Sequence, residues 1–153
     1  MMNSSMLRTI GIVFLVAGFF IDDIVESFTV VNNIEVVELG LSQPSDEISS
    51  IVAPIDDIIT DENDRLSMAV FNKVCADRIN KWPELNQQEF NDVYVSAAKR
   101  FFGDSMANKY EPLDRFLVKV IMDVTGDDIH SLSSEERSKI VNRLNGIAWY
   151  LIK

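Results

Sequence analysis

The chain has one cysteine, Cys75, and one histidine, His130, among 153 residues. A single cysteine excludes an internal disulfide, and a single histidine excludes a multi-histidine zinc or iron site within one chain. Glycine is scarce too, at six residues, and none sits in a phosphate-cradling G-x-x-x-x-G-K loop or a G-x-S-x-G nucleophile turn. The sharpest scarcity is of cations. Between Arg8 and Arg65 there is no Lys or Arg at all, while 12 acidic residues fall in that interval. From Arg65 onward 12 acids face 13 bases, so the formal charge of −10 belongs to the approach and the remainder is nearly neutral. No basic stripe exists to follow a phosphate backbone, and nucleic acid is not an indicated partner.

What the N-terminal part does have is an unbroken apolar run, Ile10 to Ile21, preceded by Arg8 and stopped by Asp22 and Asp23. As a helix, twelve residues span about 18 Å, short of the roughly 30 Å hydrocarbon core of a bilayer and closer to the apolar centre of a signal peptide. Ala17 and Gly18 are the small residues near which a peptidase would cut, although Val16 and Gly18 make a poor A-x-A site. The competing reading is an uncleaved signal anchor from Met6 through Val25. It places Asp22 and Asp23 at the interface, where each costs less than the ~3 kcal/mol expected at the bilayer centre. A third reading, a buried N-terminal helix of a soluble fold, needs a larger body around an all-round apolar helix than about 110 remaining residues supply. The cation asymmetry orients the chain with its N-terminus in the cytoplasm and the rest outside. The chain thus divides into residues 1–23, a signal peptide or single-pass signal anchor; 24–44, an acidic extended linker with room for a short strand from Ile34 to Leu39; and 45–153, one helical domain.

Within that domain the period is helical. Ser45 caps a short helix with Ile48, Ile51, Val52 and Ile55 on one face, interrupted at Pro54. Thr60 or Asp61 opens the next, with Leu66, Val70, Phe71, Val74, Cys75, Arg78, Ile79 and Trp82 on its inner stripe up to Pro83. Asn86 with Glu89 reads as a capping box before Phe90, Val93, Tyr94, Ala97 and Phe101, closed by Gly103. Asp104 to Glu111 reads as a loop. Pro112 begins a helix running through Val124 to Gly126, and Ser133 with Glu136 caps a last one burying Ile140, Val141, Leu144, Ile147, Ala148 and Leu151. The fold expected is all-α: a compact antiparallel bundle of four or five helices after the hydrophobic segment and linker.

Chemistry-bearing constellations are weak. Asp123 to Glu136 resembles a calcium loop but carries Asp128 where Gly is required and Ser134 where the bidentate Glu is required. The acidic cluster Asp56, Asp57, Asp61, Glu62 and Asp64 has no recurring ligand spacing, and helix starts collect acids for their own reasons. Cys75 lies mid-helix on an apolar stripe, so a Cys75–His130 nucleophile pair lacks local support, and burial is the expected state of the thiol. No metal, cofactor or small-molecule substrate is indicated, and no catalytic residue. The aromatics Phe101, Phe102, Tyr110, Trp149 and Tyr150 form the candidate interaction patch: each adjacent pair puts one ring off the inner stripe, available to a partner or to the width of a packed helix.

The stretches FFGDSMANKY and ITDENDRLSMAVFNKV, within residues 58–152, resemble short uncharacterised proteins encoded by tailed marine phages, which share an apolar N-terminus and a helical body. The resemblance implies viral origin and an envelope or virion setting, and carries no functional residue. The expectation is an acidic, exported or membrane-anchored, non-catalytic helical protein that acts by binding a protein partner in envelope, virion or lysis-associated work. It is anchored with its body outside the cytoplasm, or periplasmic if the signal is cut. The alternative is a small exported cell-wall hydrolase using paired carboxylates.

Overall fold

The computed structural model describes residues 39–82, 84–126 and 130–153. The apolar run Ile10 to Ile21, most of the linker, Pro83 and the Asp127–Ile129 part of the calcium-like loop lie outside the described residues, as does the expected strand apart from Leu39. The chain is all-α, and no strand occurs among the described residues.

Four of the described helices begin where a side chain satisfies their first backbone donors. Ser45 Oγ accepts from Ile48 N at 3.3 Å and opens α1, Asp46–Val52, with Asp46 and Glu47 in the first turn where the helix dipole favours anions. Pro54 then starts the single turn α2, Ile55–Ile58. The Asp61 carboxylate accepts from Asn63 N and Asp64 N at 3.0 and 3.1 Å, which selects Asp61 over Thr60 as the cap of α3, Glu62–Arg78. A 3₁₀ turn, Ile79–Lys81, tightens its end and delivers Trp82 into the core. Reciprocal 2.9 Å bonds between Asn86 and Glu89 make the expected capping box of α4, Gln87–Phe102. Gly103, at φ +57°, takes the chain out of α4 in a conformation other residues rarely adopt.

Two expectations are corrected here. The polar stretch 104–111 is not wholly loop: it holds a short helix, α5, Ser105–Lys109, because Met106 and Tyr110 turn inward and are buried. The next helix, α6, begins at Pro112 as expected but ends at Val120 rather than running to Val124. Its end is held from outside, since Arg143 Nη1 donates to Val120 O at 2.7 Å and Val124 N donates to Gln87 Oε1 at 3.3 Å instead of continuing the ladder. The last helix, α7, Ser134–Ile152, opens on the Ser133–Glu136 capping box.

Packing centres on α3 and α7, which make the most extensive close helix pair. Their ends show that they run antiparallel: Arg65 at the start of α3 reaches the Tyr150 and Leu151 carbonyls at the end of α7, while Arg137 at the start of α7 donates to Ile79 O at 2.6 Å beyond the end of α3. Small buried residues, Ala69, Cys75 and Ala76 on α3 with Ala148 on α7, suit this close approach. In contrast α4 meets α3 through rings. Phe71 stands edge-on to Tyr94, Phe101 and Phe102 at 5.3, 5.6 and 5.4 Å between centroids. α1 lies on α7 at Gly146, where an added Cβ would come within 2.8 Å of Ile48 Cγ2. The connections before α4 and α7 are tied together by Leu132 N donating to Leu85 O at 2.7 Å. Leu39 and Leu41, ahead of the expected boundary at 45, also pack on this core.

Candidate functional site

The residues expected to form an aromatic patch occupy three places around the first half of α3. Phe101 and Phe102 are half-buried against Phe71 at the end of α4. Tyr110 is buried, and its hydroxyl donates to Asp64 Oδ2 at 2.7 Å while accepting from Asp61 N at 3.3 Å. It therefore fastens α5 to the start of α3 rather than offering a face to a partner. Trp149 and Tyr150, at the end of α7, are half-buried with centroids 5.0 Å apart at 80°, and the Lys153 ammonium lies 4.4 Å from the Tyr150 ring centroid. This last pair presents adjoining rings beside a charge.

Asp56, Asp61 and Asp64 of the acidic cluster are engaged by the protein's own bases. Asp56 Oδ1 takes Arg65 Nη2 at 2.5 Å and Asp56 Oδ2 takes Lys153 at 3.1 Å. The Arg65 hydrogen bond is the main reason the Asp56 carboxyl sits below its usual range. Asp64 takes Lys109 at 2.7 Å as well as Tyr110, and the Lys109 bond holds its carboxyl low in the same way. Asp61 spends its carboxylate on the α3 cap. Among the described residues no three metal-ligating side chains converge.

The nucleophile pair is not assembled either. Cys75 is fully buried, and burial pushes its thiol up, away from the thiolate. His130 is exposed, with Nε2 at 2.7 Å from Glu136 Oε1. That carboxylate, already accepting from Ser133 N, is held low first by this backbone bond and then by the histidine. Next to Cys75 in the core, Tyr94 donates to Asn72 Oδ1 at 3.0 Å and Asn72 donates to Met68 O at 2.8 Å, so this buried polar pair is satisfied. Burial is also what raises the Tyr94 hydroxyl's pKa.

One concavity was missed by the sequence reading. A cavity of about 410 Å³ opens between α4, α5 and α6, floored by Met68 and Tyr94, walled by Ala98, Phe102, Leu113 and Leu117, with Lys99, Asp104 and Asp114 at its mouth. On its lining Val118 is 54% exposed, the one large apolar side chain so placed among the described residues. The two carboxylates at this mouth are solvent-exposed. A signal for the groove was present in the sequence: the methionines after Met6 are Met68, Met106 and Met122, and all three line it.

Fold and site together define an all-α bundle with an apolar, methionine-lined groove. Compared with protein families, curated proteins and solved structures, the chain matches none. No helix among the described residues is long and apolar enough to cross a membrane.

Proposed function

We propose that this chain is an exported or membrane-anchored, non-catalytic helical protein whose body acts by binding a protein partner. The observation that carries the proposal is the asymmetry around Ile10 to Ile21: one cation before the run, and none after it until Arg65. That is the pattern of a segment whose N-terminal side stays in the cytoplasm and whose C-terminal side is delivered outside. Support from the body is indirect. Residues from Leu39 to Leu151 share one core, which suits a head on an acidic tether. Trp149 and Tyr150 offer half-buried aromatic side chains of the kind enriched at protein-recognition hot spots. The resemblance to short phage proteins suggests an infected cell's envelope, or the virion, as the setting.

Fractionation of cells expressing the full chain with a C-terminal tag, followed by N-terminal sequencing, tests the address. A soluble periplasmic product starting near Phe19 supports secretion, and an intact chain in the membrane fraction supports anchoring. An intact chain in the cytosol overturns both.

A further inference from the structure

Every methionine after Met6 lines the same groove, although the three come from α3, α5 and the segment after α6. Methionine is unbranched and polarizable, fills irregular apolar space and is concentrated on surfaces that adapt to an apolar ligand. Well-packed interiors leave few voids larger than a water molecule, whereas small-ligand clefts run from about 300 to 1,000 Å³. At about 410 Å³ this groove belongs with the clefts. Its depth agrees, since Met68 and Tyr94 at its floor are otherwise core residues.

We infer that the groove holds one acyl chain of a zwitterionic membrane lipid. The lining stretch of α4, Tyr94 to Phe102, is about 12 Å long at 1.5 Å per residue. That takes part of a single acyl chain lying along the helix and is small for a protein partner, whose interfaces bury about 800 Å² on each side. The mouth selects the head. Lys99 offers a donor to phosphate, and Asp104 and Asp114 offer acceptors to ammonium. A fatty acid would satisfy Lys99 but set its carboxylate beside two others, and a purely cationic head would meet Lys99. An ammonium phosphate head answers both signs. The bilayer as the source of this lipid rests on the envelope address proposed above; the binding chemistry does not.

The test uses the full chain with ¹³C-methyl methionine and dodecylphosphocholine below its micelle-forming concentration. The expected result is saturable shifts of the Met68, Met106 and Met122 methyls that follow one common binding curve. Dodecyl sulfate, with the same tail and an anionic head, is expected to bind about two- to fivefold more weakly, the range of an exposed charge contact. Ala98→Trp fills the groove and is expected to lower affinity at least about tenfold, since two displaced methylenes already amount to that. Val118→Asp, at an exposed position that leaves the core intact, is the second variant and weakens binding in the same direction. Circular dichroism and melting confirm that each variant is folded. The lipid site is overturned by absence of saturable shifts at these three methyls, or by folded variants that bind as tightly as the parent. Equal affinity for the two detergents overturns the zwitterionic head. An amphipathic peptide that shifts the three methyls when the detergent does not makes the groove a protein site instead. If the chain fractionates to the cytosol while these shifts persist, the address and the bilayer source fall and the acyl-chain site stands.

Discussion

Arg65 Nη2 donates to the Tyr150 carbonyl oxygen at 2.9 Å, joining residues 85 positions apart in the chain. The rest of the guanidinium is equally committed: Nε to Leu151 O at 3.2 Å, Nη1 to Asp56 O and Ile59 O at 3.0 and 2.7 Å, and Nη2 to Asp56 Oδ1 at 2.5 Å. All five donors are therefore used, and they satisfy carbonyls at the ends of α2 and α7 that have no partner within their own helices. Arg65→Ala is expected to lower unfolding free energy by about 2–4 kcal/mol, because several part-buried acceptors lose their donor together. Arg65→Lys restores a charge but not the planar fork, and should recover less than half of that loss. Urea unfolding of the two variants decides it; equal stability of Arg65→Ala and the parent would dismiss the clamp.

Gly146 is buried mid-helix in α7 under α1. On helix propensity alone Gly146→Ala would gain about 1 kcal/mol. Its Cβ, however, would lie 2.8 Å from Ile48 Cγ2 and 3.1 Å from Val52 Cγ2, so α1 must shift. The expected net is a destabilisation of about 1–2 kcal/mol, overpacking outweighing propensity. Adding Ile48→Ala removes the nearer methyl. The two changes should then be coupled by about 1 kcal/mol in a double-mutant cycle, and additivity would mean that α1 does not press on this glycine.

The buried pair Asn72 and Tyr94 gives a sign test. Tyr94→Phe leaves Asn72 Oδ1 without its 3.0 Å donor in the core and should cost about 1–3 kcal/mol. Replacing both, as Asn72→Leu with Tyr94→Phe, removes donor and acceptor together and is expected to cost less than the single change. Thermal melts of the three variants read this directly, and a double variant worse than Tyr94→Phe would show that the pair serves more than mutual satisfaction.

Much of the fold was legible because it is written in local signals. Ser45, Asn86 with Glu89, Pro112, and Ser133 with Glu136 each mark a helix start where the structure has one. The misses have tertiary causes. Nothing near Val120 in the sequence announces that Arg143 will end α6 there, and α5 forms within a polar stretch because Met106 and Tyr110 find a core to face. Tyr110 was read as an interaction residue because its partners, Asp61 and Asp64, lie more than forty residues away. The groove went unseen for a similar reason: Met68, Met106 and Met122 are unremarkable singly, and only the packing of α4, α5 and α6 brings them together.

Acid should loosen this body through identifiable carboxylates. Asp56 is held below the ordinary aspartate value of 3.8 chiefly by its bond to Arg65, and Asp64 chiefly by its bond to Lys109. With the folded pKa below the unfolded one, the unfolded chain binds more protons as pH falls past 3.8, so stability drops with acid in that window. Above it the contribution is fully present, and below the folded value it is gone. Both side chains are partly solvated, which limits the contribution to at most about 1 kcal/mol each. Unfolding midpoints measured from pH 7 to 2.5 should therefore stay level through this contribution until about pH 4.5 and then fall. Asp56→Asn should start lower at neutral pH and show a shallower acid limb, as should Asp64→Asn. Because the Lys109 and Lys153 partners are solvent-facing, 0.5 M salt should shrink the difference between parent and variant, the Debye length there being only about 4 Å. An acid limb of unchanged slope in both variants would place the titrating groups elsewhere. Glu136 is the next to replace, since its backbone bond from Ser133 and its His130 partner hold it low as well.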